Sequence, residues 1–198
     1  LLATPVDLDS DWAATDLVMG HAALTGLSDD THRFSDLVYR ATPLLGGFTP
    51  AADPLPDSLL VWSQAPAGTP GRWTLHYNGG AFDIRMRDDV AGFALQLSTT
   101  PAKPMVFQGP NGYSAKSGGP EPSASLYYSF TRLQTTGTLV VDEDTLTVSG
   151  QSWMDKEFGS NKLAETQVGW DWFSLQLDDN RELMIYILRN AEGGIDYG

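Results

Sequence analysis

The sequence predicts an all-β fold of antiparallel strands, closed into a barrel or strongly bent. Three observations carry this. Apolar and polar residues alternate with period two in segment after segment, the pattern of strands with one face on a core. Turn-forming clusters recur at about the 8–12-residue spacing of sandwiches and barrels. Glycine and proline are plentiful, at 20 and 12 of 198 residues, and leave no room for a long helix. The expectation is about eleven or twelve strands. Closing such a sheet removes its edges, and a barrel of this size encloses one small ligand. The length allows one large or two small domains, and the even patterning predicts a single β-domain over 1–198.

In order, residues 1–12 are an irregular lead-in, with Ser10 placed to cap a short turn through residues 12–14. TDLVMGHAAL (15–24) reads as a strand rather than a helix, because Gly20 is unfavourable inside a helix and hairpin signals follow. Residues 26–30 turn the chain and THRFSDLVYR (31–40) returns it. The stretch 42–57 holds four prolines and two glycines and is a loop. SLLVWSQ (58–64) is a strand, followed by the turn APAGTPG. RWTLHYN and AFDIRMR flank Gly79-Gly80, a two-residue hairpin signal. AGFALQLST (91–99) alternates again. Residues 101–122 are the least regular, and such runs are usually functional or flexible. Lys103, Tyr113 and Lys116 in that run are within reach of a ligand; the plainer reading is a surface loop with solvated lysines. SLYYSFTRL (125–133) is a strand with Tyr127 and Ser129 on one face and Tyr128 and Phe130 on the other. GTLVVD and DTLTVSG form a tight hairpin around Glu143.

The stretch 150–189 organises the rest. It holds three of the six tryptophans. QVGWDWFSLQL and RELMIYILR are joined by Asp178-Asp179-Asn180, a turn cluster, and read as a hairpin. Strand parity puts Trp153, Asp155 and Glu157 on one face of 152–158. It puts Trp170, Trp172, Ser174 and Gln176 on one face of 169–177, and Asp171, Phe173, Leu175 and Leu177 on the other. Leucines belong in a core, so Asp171 is expected to be buried among apolar neighbours. Trp153, Asp155, Glu157, Trp170 and Trp172 then line one aromatic, acidic cavity. The plainer reading is that the tryptophans are packing and the acids solvated. The tail 190–198 is polar and turn-rich.

Composition excludes several functions. The net charge of −13 argues against nucleic acid and against an anionic membrane surface. Apolar runs are too short for a membrane-spanning helix, so no stable membrane insertion is expected. There are no cysteines, hence no disulfide and no thiolate chemistry. The opening LLATPVDLDSDW has neither a basic nor a long apolar region, so no signal peptide is read in it. His21, His32 and His76 share no ligand spacing, and no metal is expected. Without GxSxG, GK[ST] or GxGxxG, triad hydrolysis, nucleotide and dinucleotide sites lack support, and no cofactor is expected. What remains is carboxylates beside aromatics.

SWMDKEFGS followed by QVGWDWFSLQLDDNRELMIYILR resembles the signature of the AttH-like proteins, relatives of the carotenoid 1,2-hydratases (hydroxyneurosporene synthases). The resemblance extends through DLVMGHAALTG, PAKPMVFQGPNGYSAKSGG and SASLYYSFTRLQTTGTL, most of the chain. It implies a lipocalin-like (calycin-type) β architecture and a hydrophobic small-molecule ligand, isoprenoid or polyketide-like. It also implies a periplasmic or secreted protein, and a longer one, with a tryptophan-rich strand region before this chain and a second β-domain after it. The hydratases add water to a C=C bond without an organic cofactor, and the resemblance makes Asp155, in Trp153-Met154-Asp155, the proton donor. An alkene is a poor base and needs a positioned acid. A desolvated carboxyl holds its proton. The carbocation that forms is stabilised by indole faces at roughly 0.5–2 kcal/mol each, and Glu157 is placed to deprotonate the incoming water. The family carries a histidine in a GHxAL-type strand, which makes His21 a ligand-side candidate; the plainer reading is a half-buried histidine bonded to backbone. The hydratases also carry a His-x-Trp strand where this chain has Leu126-Tyr127-Tyr128-Ser129, so Tyr127 stands in as the polar partner. Related fungal pericyclases shape a polyene with no acid–base step. Three functions follow: a hydratase or lyase on an apolar molecule, a non-catalytic carrier, and a carbohydrate-active or sugar-binding protein. The third rests on Asp155 and Glu157 lying roughly 6.5–7 Å apart along a strand, within the about 6.5–9.5 Å of inverting glycosidases. The oligomeric state is not set by the sequence.

Overall fold

The computed structural model describes residues 9–10, 13–49, 58–118, 123–159 and 163–197. Fourteen strands run through them, with a single 3-10 turn at Pro110–Gly112 and no α-helix. The all-β expectation is met. The chain divides into two compact units, 1–100 with 135–150, and 101–134 with 151–198.

In the first unit β1 (Leu17–Gly26) pairs with β2 (Thr31–Arg40) in one unbroken antiparallel register, from Leu17↔Arg40 to Gly26↔Thr31. β1 begins and ends two residues later than expected. β3 (Gly46–Phe48), β4 (Ser58–Gln64), β5 (Arg72–Asn78), β6 (Ala81–Asp88) and β7 (Phe93–Pro101) form an antiparallel meander. Asn78 and Ala81 close the β5–β6 hairpin around Gly79 and Gly80, whose φ values of 55° and 99° explain why glycines stand there. The buried core is Ala22, Leu37, Ala65, Trp73 and Phe93. Burying a ring such as Phe93 contributes roughly 1.5–3 kcal/mol. Gly20 lets β1 approach Trp73 closely, since a Cβ there would lie 3.0 Å from the indole ring. Trp73 donates its indole N–H to the Arg87 carbonyl at 2.8 Å, which lets a polar tip be buried. Asp88, also buried, accepts from Ser35 Oγ and from the amides of Val90 and Ala91.

β10 (Ala124–Val141) and β11 (Asp144–Phe158) are each one long strand where the sequence predicted two. Their 135–150 ends, turned at Asp142 with φ 55°, belong to the first unit. In the second unit β8 (Val106–Phe107) and β9 (Tyr113–Ala115) pair with the start of β10. The stretch read as irregular is therefore partly strand. Its segments are only two and three residues long, too short for alternation to register. β12 (Gln167–Gln176) pairs with β13 (Glu182–Asn190), which pairs with β14 (Ile195–Tyr197). The hairpin at Asp178-Asp179-Asn180 is present, with Asn180 at φ 67°. β10 alternates cleanly: Tyr127, Ser129, Leu133 and Thr135 are buried.

The sheets are open. The longest ordered path runs β11-β10-β7-β6-β5-β4-β3, and no pairing among the described residues joins its ends. A closed barrel is thus not formed, because alternation fixes faces and leaves edge pairing undetermined. The turn expected after Ser10 includes residues 11 and 12, which lie outside the described residues, as do 50–57 of the proline-rich loop. Within that loop β3 is an addition the proline content hid. No helix among the described residues is long and apolar enough to cross a membrane.

Candidate functional site

Asp155 is the centre of the second unit. Parity along β11 places Trp153, Asp155 and Glu157 on one side, as expected, and here that side meets the odd-numbered face of β10. Ser129, with no exposed surface, donates to Asp155 Oδ1 at 2.5 Å. Trp153 donates its indole N–H to the same oxygen at 2.8 Å. The Tyr127 phenol also hydrogen-bonds Asp155. A second tier stands behind these donors. Gln108, next to β8, donates from Nε2 to Ser129 Oγ at 2.9 Å, and Trp172 donates from Nε1 to the Tyr127 oxygen at 3.2 Å. Amide and indole N–H groups only donate. Each hydroxyl oxygen therefore accepts one hydrogen and points its own at Asp155. The carboxylate is the terminal acceptor of the whole network.

Burial first, and the neighbouring Asp155 carboxylate second, raise the Tyr127 phenol above its ordinary pKa. It stays protonated, as its donor role requires. Trp153 and Trp172 meet edge to face, with ring centroids 6.3 Å apart, a favoured aromatic geometry.

Next to this network lies a pocket of about 490 Å³, lined by Tyr127, Asp155, Glu157, Trp170, Trp172 and Tyr186 among others. Phe158 and Leu163 give it an apolar side. Its size is that of a small-molecule site. Lys116 forms a charged end. Its side chain is 9% exposed and its Nζ sits 2.5 Å from Glu157 Oε1 and 2.9 Å from Ser114 Oγ. The ammonium also lies over two rings, 4.3 Å from the Tyr186 centroid and 5.3 Å from that of Tyr127. Ser125 donates to Glu157 Oε1 at 2.5 Å. Gln167, buried at the start of β12, bonds the Lys116 carbonyl at 2.7 Å and so fixes the lysine's backbone.

The structure gathers Trp153, Asp155, Glu157, Trp170, Trp172 and Tyr127 into one place. Trp170 is the most open of them, at 55% exposure. It leaves out other candidates. His21 lies on β1 of the first unit, opposite Asp36 and 5.7 Å from the Phe34 ring. Asp171 is on the other face of β12, 44% exposed and 3.4 Å from Arg189. Its expected burial is corrected: that face, with Phe173, Leu175 and Leu177, is exposed, while Trp172, Ser174 and Gln176 face inward. Leucine on alternating positions marks a face without saying which face is covered. Lys103 binds Glu182 at 2.6 Å instead of lining the pocket. Gln108, Ser129 and Tyr186 are members that the sequence reading missed. Tyr186 was recoverable, because the hairpin register sets it opposite Trp172. Among the described residues no group of three or more His, Cys, Asp or Glu side chains is placed to hold a metal.

The class is thus an open all-β scaffold carrying an acid-centred aromatic pocket. The AttH-like family profile matches residues 3–198, and the chain belongs to that family. It is similar to a crystal structure from Nitrosomonas europaea assigned as an AttH, with 27% identity and a TM-score of 0.74 over 93% of this chain. The chain spans 55% of the length of that protein. No curated protein matches it.

Proposed function

We propose that the pocket of the second unit binds an apolar small molecule, isoprenoid or polyketide-like, in a lipocalin-like bent sheet. In this reading Asp155 is the acid–base group of a cofactor-independent hydratase or lyase. The observation that carries it is the convergence of donors from Ser129, Trp153 and Tyr127 on one carboxylate at the pocket wall. A carboxylate bonded only to packing partners needs no adjoining cavity; this one has it.

The network sets Asp155 to accept. In dehydration it takes the proton from the carbon beside the departing hydroxyl. The C–H electrons become the π bond, and water leaves after protonation by the Lys116 ammonium. In hydration Asp155 in its protonated form delivers that proton to the alkene, water adds to the cation, and the Glu157 carboxylate takes the proton lost from that water. The indole faces of Trp170 and Trp172 favour the cationic intermediate by roughly 0.5–2 kcal/mol each. Asp155→Asn keeps the shape and removes the base. Its expected result is loss of turnover with retained quenching of tryptophan fluorescence by terpenoid or polyene ligands. Full turnover in Asp155→Asn discards the acid–base role. Binding without turnover in the unaltered protein points to a carrier, and a flat fluorescence response across the ligand panel discards both.

A further inference from the structure

The first unit carries a second, differently built recess. One face of the β4–β7 meander packs Trp73 and Phe93 into the core, and the other is polar. On that polar face a groove of about 430 Å³ is lined mainly by polar side chains, among them His76, Asn78, Asp83, Arg85, Gln96 and Ser98. The lining follows from register. Asp83 stands opposite His76 on β5 and opposite Ser98 on β7, and Arg85 stands opposite Gln96. The row is not a hydrolytic triad, because the aspartate lies between the serine and the histidine, with no base beside the hydroxyl.

Asp83 is already saturated. Ser98 bonds it, and Asn78 Nδ2 donates to it at 2.7 Å, which together hold its carboxyl below the ordinary aspartate range. Arg85 and His76, by contrast, have no hydrogen-bond or ion-pair partner among the described residues. Both act on the Asp83 carboxylate through charge alone and help lower its pKa, with no hydrogen bond to it among the described residues. Arg85 and Gln96 also line an adjoining recess of about 220 Å³ with Arg72 and Arg87. Arg87 is paired to Asp89, and Arg72 lies 4.0 Å over the Trp62 ring. Three of the chain's eight arginines thus raise the local potential on one face of an acidic protein.

We propose that this groove is a second binding site, for a small hydroxylated oxyanion such as a sugar acid or sugar phosphate. The planar Arg85 fork takes the oxyanion through two parallel hydrogen bonds. His76, Gln96 and Ser98 take the hydroxyls. The pocket of the second unit has no guanidinium, and its one lysine is paired to Glu157, so the two sites select different molecules.

Calorimetric titration of the whole chain with glucuronate, glucose 6-phosphate and neutral glucose tests this. The expected result is saturable, salt-sensitive binding of at least one anion and none of glucose. Arg85→Ala, at an exposed position where folding is retained, is expected to weaken the anion about tenfold or more, equivalent to about 1.4 kcal/mol. Arg181→Ala, on the β12–β13 turn, leaves it unchanged. Which of the two anions binds separates carboxylate from phosphate chemistry. Absence of binding by either anion, equal binding of glucose, or an unaltered affinity in Arg85→Ala with an unchanged melting profile overturns the proposal.

Discussion

Tyr127 joins packing to chemistry through one hydroxyl. Its ring is buried and faces the Lys116 ammonium, while its oxygen accepts from Trp172 and its hydrogen goes to Asp155. Losing that hydrogen would set a phenolate against a carboxylate in a desolvated place, so its pKa lies above the ordinary 10.0. The sign follows: folding holds this proton more tightly than the unfolded chain does. Its contribution is full below pH 10.0 and is lost as pH rises from there toward the folded value. Denaturant unfolding across the alkaline range is expected to show the native protein losing stability above about pH 10, where Tyr127→Phe loses less. Parallel curves for the two proteins would refute the linkage.

At the scale of elements, the second unit is clamped where β13 begins. Glu182 Oε1 accepts from Arg132 Nε on β10 at 2.6 Å, and Oε2 from Lys103 Nζ at 2.6 Å. Arg132 reaches further, to Gln151 at 2.7 Å and the Leu177 carbonyl at 3.1 Å. Burial opposes ionisation of Glu182, but the bonds from Lys103 and Arg132 outweigh it and hold its pKa below 4.5. The clamp is therefore present above that value and is lost as pH falls through the lower, folded one. Glu182→Gln is expected to cost about 2–3 kcal/mol near neutral pH, with the difference shrinking in acid. Denaturation midpoints at about pH 7 and about pH 3 read this directly. An undiminished difference in acid would mean that the charge is not what matters.

Over the whole molecule, acidic charge dominates. With a net charge of −13 and an isoelectric point near 4.3, self-repulsion opposes association at neutral pH and disappears near the isoelectric point. Light scattering of the chain across acid pH is expected to peak close to that point and to fall on either side. A flat profile would show that charge does not control its association. The same excess of acid makes the cationic places conspicuous: Lys116 in one unit and the arginine face in the other.

The all-β class, most strand positions and the grouping of Trp153, Asp155 and Glu157 were legible in the sequence, because side chains alternate along a strand whatever surrounds it. The family signature was legible for the same reason, being a contiguous run of strand and turn. Tertiary structure alone decided which face of each strand is covered, so Asp171 was misplaced and Trp172 was not. It also decided that the sheets stay open, and that Gln108, Ser129 and Lys116, from separate segments, meet at Asp155 and Glu157. Those outcomes depend on pairing between distant segments, and a period of two carries no information about the partner strand.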